Sequence, residues 1–237
     1  MTSREKIAHD YLIFRYPTEY ILIFFPIMVG MIVNTFSRQY NTLGSPNVAQ
    51  LQDFRLDLID TFLTSSKVAM IILVSFFVCY RWANMLNDGS YGFWLSTGVN
   101  RRKFFIRTGI KLTFTFVLAQ YLGITMILYQ NSIQLPILLI IQLALGIISN
   151  VIFILILAVF LSNWLRNPEF ASITYLTIMG FNIGFNSSSK SPLAMIFQSD
   201  LAYRTDNAII AFIISLIISS ILLIITLRLH VSQDIDI

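Results

Sequence analysis

Long uncharged runs alternate with short polar segments along the chain, and the lengths of these runs predict membrane-spanning helices. One crossing needs about 20 mostly apolar residues. The charge-free run from Leu112 to Leu165 is too long for one crossing, and a polar stretch at 129–132 followed by Pro136 divides it into two. We therefore predict an all-α polytopic membrane protein with a single transmembrane domain over 1–237. Its six spans lie at about 18–37, 61–82, 104–129, 135–162, 169–186 and 207–228.

Two further stretches have amphipathic patterns. In residues 3–16, Ile7, Tyr11 and Phe14 recur at helical spacing between charged residues. This pattern predicts a helix lying in the membrane interface before the first span, the alternative being a solvated tail. Residues 47–62 predict an external helix that runs into the second span.

The composition supports the same class of protein. Hydrophobic residues make up 56% of the chain and charged residues only 12%, whereas soluble domains carry about 25% charged residues. A chain of this composition cannot cover a globular surface with polar groups. We therefore expect an integral protein of the lipid bilayer.

The distribution of Lys and Arg predicts the orientation, because basic residues concentrate on the cytoplasmic side. With the N-terminus inside, basic residues on the inner segments outnumber those on the outer ones. This favours a multi-pass protein of the cytoplasmic membrane with both termini cytoplasmic. The net charge of +4 is then a topology signal and calls for no nucleic-acid partner. The inner set is Arg4, Lys6, Arg15, Arg81, Arg101, Arg102, Lys103, Arg107, Lys111, Arg166 and Arg228, and the outer set is Arg38, Arg55, Lys67, Lys190 and Arg204.

Several kinds of chemistry are missing from the sequence. It has no cluster with metal or haem ligand spacing, no phosphate-binding glycine loop and no Ser-His-Asp set. The single cysteine, Cys79, is interpreted as a small core residue. Lys67 is expected to reach the membrane interface, so that the span interiors hold no buried acid or base. These absences argue against a proton-coupled transporter, a redox subunit and an intramembrane protease. We expect no catalytic residue, no metal and no cofactor on this chain.

Polar residues within the spans are amides, hydroxyls and glycines. Such residues usually bond to neighbouring helices, and lining a substrate path is the alternative. Gly180 and Gly184 match the small-xxx-small packing motif, which serves contact within the bundle or between two copies of it. The amides are Asn34, Gln120, Gln142, Asn150 and Asn182.

The polar segment 84–103 is the most informative part of the sequence. Asp88 or Ser90 can cap a helix start, a short helix then follows to Thr97, and Gly98 can end it. Aromatic residues at a membrane interface and basic residues on its inner side explain part of this pattern without any partner. The large apolar residues of the short helix are Tyr91, Phe93, Trp94 and Leu95, and the basic cluster after it is Arg101, Arg102 and Lys103.

This segment resembles the cytoplasmic loop between spans two and three of ABC-2 type transporter permeases. The matching positions are Asp88-Gly89, residues 93–97 and residues 98–101. The sequence departs from the family pattern in lacking a Glu before a Ser-Gly pair and a Pro near Gly98. A second similarity is the outer segment from Ser191-Pro192-Leu193 to Arg204, before the last span.

The resemblance implies a permease subunit of an ATP-driven exporter. In this family two permease chains, identical or paralogous, pair with separate nucleotide-binding subunits, which carry the MgATP. The coupling helix between spans two and three would dock into the ATPase, with Asp88, Gly89, Tyr91, Phe93, Trp94, Leu95 and Thr97 in the contact. Arg101, Arg102 and Lys103 would hold the element to lipid headgroups or to carboxylates of the partner.

Two other functions are compatible with the residues. One is a structural subunit of a membrane complex, whose spans serve only to pack and whose 84–103 segment anchors a soluble partner. The other is a channel or carrier working alone, against which the scarcity of charge in the spans counts. Apolar spans with scattered amides suit an amphipathic substrate, but they suit a packing role equally well.

Overall fold

The computed structural model describes residues 18–41, 48–87, 101–184, 197, 199–204 and 208–232. These residues form six long helices and one short 3-10 turn, with no strand among them. The helices are α1 (Thr18–Asn41), α2 (48–87), α3 (Arg101–Gln130), α4 (Ile137–Leu165), α5 (Pro168–Gly184) and α6 (Ala208–Ser232), and the 3-10 turn is Ala202–Arg204.

Four of these helices contain stretches long and apolar enough to cross a membrane: Leu56–Asn87, Arg102–Gln130, Ile137–Leu165 and Ala208–His230. A shorter apolar stretch, Ile21–Phe36, lies in α1. Many large apolar side chains on the outer surface are exposed, Phe114 at 66% and Phe181 at 71% among them. Since water would not tolerate so much exposed apolar surface, the chain is an α-helical multi-pass membrane protein.

The local chemistry of the connections explains where the helices end. As expected from the polar stretch and Pro136, α3 ends at Gln130 and α4 begins at Ile137. Arg166 ends α4 in a left-handed conformation, with its N–H donating to the carbonyl of Ser162 at 3.1 Å. The side-chain oxygen of Asn167 then accepts hydrogen bonds from the N–H groups of Glu169 and Phe170 and so caps α5.

α2 combines two predicted elements, since the amphipathic stretch and the second span form one continuous helix from Val48. It is α-helical over Val48–Val74, π-helical over Ser75–Tyr80 and α-helical again over Arg81–Asn87. α1 packs against α2 and α3, while α6 packs mainly against α4. The centre of the bundle is therefore formed by α2, α3 and α4.

Glycines allow three helices to approach closely around one aromatic ring. Phe62 of α2 is fully buried. A Cβ atom on Gly30 of α1 would lie 2.5 Å from its ring, and one on Gly123 of α3 would overlap the ring. The missing side chains thus form the slot that holds Phe62, as small residues commonly do between membrane helices.

Candidate functional site

The predicted coupling helix lies outside the described residues, as do Asp88, Gly89, Tyr91, Phe93, Trp94, Leu95 and Thr97. The helices on either side of it are described. α2 ends at Asn87, and α3 begins with the basic cluster Arg101, Arg102 and Lys103. Arg102 and Lys103 are exposed at this end of the bundle, where charged side chains can reach headgroups or a partner.

A buried aromatic group joins the two helices at the base of this segment. Trp82 of α2 stacks on Phe104 of α3, with ring centroids 6.1 Å apart, and meets Phe105 edge-on at 5.7 Å. His230 of α6 lies 5.7 Å from Trp82 and 5.1 Å from Phe105. All four rings are less than a tenth exposed, so they pack as one unit.

A hydrogen bond connects the same group to α4. His230 Nδ1 lies 3.0 Å from Asn163 Oδ1, and both residues are buried. We call Trp82, Phe104, Phe105, Asn163 and His230 the loop-base cluster. Because it takes residues from α2, α3, α4 and α6, a force applied to the segment between α2 and α3 reaches four helices directly.

The π-helical part of α2 lies one turn above the loop-base cluster. Hydroxyls from neighbouring helices donate to carbonyls near both of its ends: Ser172 of α5 to Ser75 at 3.3 Å, and Ser162 of α4 to Cys79 at 3.2 Å. Ser75 returns a bond to the carbonyl of Ser172 at 3.4 Å. Such outside donors stabilise carbonyls where a helical ladder widens. π-helical turns often occur at functional sites.

A second polar group lies deep in the bundle, near the middle of α2. Lys67 Nζ is 2.5 Å from Asp200 Oδ1, and the two residues are 7% and 3% exposed. Gln120 of α3 and Asn150 of α4 line a pocket of about 10 Å³ beside this pair, which has room for about one water molecule. We call Lys67, Gln120, Asn150 and Asp200 the ion-pair cluster.

The segment 199–204 reaches the ion-pair cluster because α4 leaves space for it. A Cβ atom on Gly146 would lie 2.6 Å from the carbonyl oxygen of Ser199 and 3.0 Å from the Cα of Asp200. The hydroxyl of Ser149 donates to that of Ser199 at 3.0 Å, and Tyr203 donates to Asp60 of α2 at 2.7 Å. Asp200 is therefore held between α2 and α4 by several contacts.

The expectation that Lys67 reaches the membrane interface was wrong. Local sequence patterns cannot reveal this site, because its contacts join residues far apart in the chain. Ser66 and Gln120, whose side chains form a 2.9 Å hydrogen bond, are 54 residues apart. Lys67 and Asp200 are 133 residues apart. The available signal was weak: one lysine well inside a predicted span and one acid in the outer segment before the last span. A buried charge pair of this kind is costly in a membrane and is usually functional.

The outcome for the other predicted residues is mixed. Gln120 accepts a hydrogen bond from Ser66, in agreement with the packing interpretation. Gly180 is exposed, and a Cβ atom there would meet nothing within 4 Å, so its role with Gly184 in a contact between two copies stays a prediction. Among the described residues, no group of three or more His, Cys, Asp or Glu side chains could hold a metal ion.

Comparison with known protein families, with curated proteins and with solved structures finds no match to this chain. The resemblance to ABC-2 permeases therefore depends on the sequence motifs alone.

Proposed function

We propose that this chain is the membrane-spanning permease subunit of an ATP-driven ABC exporter in the cytoplasmic membrane. All six helices cross the bilayer in this proposal, with both termini cytoplasmic. The absence of any charged residue from Tyr20 to Ser37 supports a membrane crossing by α1. α5 is 17 residues long, about 26 Å at the helical rise, close to the roughly 30 Å hydrocarbon core.

The observation that carries the proposal is the loop-base cluster. An ATPase that closes on the segment between α2 and α3 needs a rigid connection into the bundle, and Trp82 packed against Phe104, Phe105 and His230 supplies one. A loop that only anchored a passive partner would not need buried contacts with α4 and α6. ATP hydrolysis then takes place on the partner chain, with MgATP bound there, and the substrate is an amphipathic molecule.

The first test is purification of the tagged chain from its native membrane in mild detergent, followed by identification of the bound proteins. We expect a stoichiometric soluble ATPase with a phosphate-binding loop, together with a second permease chain. Recovery of other membrane subunits without any ATPase would contradict the proposal and favour a structural subunit.

Substitutions in the coupling helix and in the basic cluster after it should differ in their effects on ATPase activity. Large aromatic side chains dominate most protein interfaces, whereas exposed ion pairs contribute about 0–1 kcal/mol. We therefore expect Trp94→Ala to lower ATPase activity in the complex more than Arg102→Ala does, measured in proteoliposomes. An equal or larger loss for Arg102→Ala would mean that charge, and not the aromatic contact, holds the partner.

A further inference from the structure

An apolar groove of about 600 Å³ runs between α3, α4 and α6 on the outer surface of the bundle. Ile110, Ile152 and Leu223 represent the three helices in its lining. Its volume lies within the range of about 300–1,000 Å³ found for small-molecule sites. It shares Phe105 with the loop-base cluster and no residue with the ion-pair cluster, and neither cluster accounts for it.

The groove continues into a basic mouth. Ile106 and Ile110 line the groove and also line a neighbouring cavity of about 320 Å³. The other residues of that cavity are Lys103 and Arg107, both exposed. An apolar channel that opens beside two cations at the membrane surface has the chemistry of an acyl chain joined to an anionic headgroup.

The length of the groove agrees with such a ligand. Its lining on α3 extends from Phe105 to Val117, about 18 Å at the helical rise. Half of the bilayer hydrocarbon core is about 15 Å thick. The groove therefore covers the depth of one leaflet, from the headgroups at the Arg101 end of α3 to the middle of the membrane.

We propose that this groove binds one anionic phospholipid, with an acyl chain between α3, α4 and α6 and its phosphate beside Lys103 and Arg107. A second copy of the chain fits less well. In a two-fold contact between copies, the same surface meets itself, and the basic mouths would lie at the same depth and repel each other. The proposal does not depend on ATPase docking or on transport.

The test measures which lipids stay bound to the full chain. The purified protein is equilibrated with vesicles of equal phosphatidylglycerol and phosphatidylcholine with identical acyl chains, then washed in mild detergent, and the bound lipid is counted by mass spectrometry. We expect about one phosphatidylglycerol per chain and a preference over phosphatidylcholine of about fivefold for each basic residue. Equal retention of the two lipids would overturn the proposal.

Gly109 offers a way to fill the groove without a steric clash. It lines the groove, and a Cβ atom there would meet nothing within 4 Å. Gly109→Phe should lower the bound lipid about tenfold by occupying the space of the acyl chain. The matched control is Ile173→Phe, at a side chain on α5 that is 62% exposed and away from the groove, and it should leave the bound lipid unchanged.

The basic mouth is tested separately. Replacing Lys103 and Arg107 with Gln should abolish the preference for phosphatidylglycerol while phosphatidylcholine still binds. Arg228→Gln, an exposed cation on α6 outside the groove lining, is the control and should keep the preference.

Three results would overturn the proposal. These are wild-type lipid retention in Gly109→Phe, an unchanged preference in the double Gln variant, and efficient cross-linking between two chains through Ile110→Cys in native membranes. Gly109→Leu is the second groove-filling variant, to be used if the thermal unfolding of Gly109→Phe is shifted.

Discussion

Lys67 and Asp200 show how much depends on a single buried pair. Each side chain loses most of its hydration on folding, and their 2.5 Å contact offsets that desolvation cost only while both charges are present. A buried pair is strongly destabilised when one partner is removed, whereas replacing both with apolar groups is often neutral. The pair therefore holds the segment 199–204 against α2.

We predict that Lys67→Met lowers the free energy of unfolding by about 3–5 kcal/mol. The double variant Lys67→Met with Asp200→Leu should recover most of that loss, since no uncompensated carboxylate remains. Cys79, the single cysteine of the chain and fully buried, provides the measurement, because an opening or unfolding of the bundle must expose its thiol before a maleimide dye can react with it. Additive losses in the double variant would show that the two residues do not stabilise each other.

Gly146 is the second residue on which the segment 199–204 depends. The two nearest atoms that a new Cβ would meet belong to the backbone of Ser199 and Asp200, which cannot move aside as a flexible side chain can. We predict that Gly146→Ala lowers the free energy of unfolding by about 1–3 kcal/mol. Gly180→Ala, with open space around it, should be neutral or stabilising by about 0.5–1 kcal/mol. Equal effects of the two substitutions on the same thiol assay would contradict this account.

At the scale of elements, the π-helical part of α2 depends on donors from its neighbours. Ser162→Ala removes a hydroxyl that is shared between the carbonyl of Ala158 in its own helix, at 2.8 Å, and the carbonyl of Cys79, at 3.2 Å. We expect a loss of about 0.6 kcal/mol, the average for hydrogen bonds between membrane helices, and faster dye labelling of Cys79 under native conditions. Ser220→Ala is the control, because that hydroxyl donates only within its own helix, to Leu216. Unchanged labelling in Ser162→Ala would show that the π-helical turn is stable without this bond.

The helices themselves could be predicted, because the length of an uncharged run and the polar or proline residues that interrupt it are local features of the sequence. The break between α3 and α4 follows from residues 129–132 and Pro136, and the start of α2 at Val48 follows from its amphipathic pattern. The π-helical turn could not be predicted, since its donors come from α4 and α5. Among the glycines of the described residues, Gly30, Gly123 and Gly146 make close contacts, whereas Gly180 makes none within this copy, and its contact with a second copy stays a prediction.

The candidate sites were predicted less completely than the helices. The sequence singled out the segment between α2 and α3, but the loop-base cluster depends on His230, which lies beyond the last predicted span at 207–228. Asp200 was also not anticipated, because its partner lies in a distant part of the chain. Both omissions involve residues whose importance comes only from tertiary contacts.

At the scale of the whole molecule, the loop-base cluster lies near the Asn87 end of α2, and the ion-pair cluster lies near the middle of that helix. Lys67 and Trp82 are separated by 15 residues (82 − 67) along α2, about 22 Å at the helical rise. α6 connects the clusters, since the segment with Asp200 leads into it and His230 lies in its last turn.

The most direct test of this account is the amount of ATPase that co-purifies with two matched double variants. Phe93→Ala with Trp94→Ala removes the aromatic pair of the predicted coupling helix. Phe24→Ala with Phe25→Ala removes two consecutive aromatic side chains on the surface of α1. We predict that the first variant loses the bound ATPase and keeps its folded state by the Cys79 assay, while the second binds ATPase as the unmodified chain does. Equal recovery of the ATPase with both variants would contradict the assignment of residues 88–97 as the ATPase-docking helix. Failure to recover any ATPase with the unmodified chain would contradict it as well.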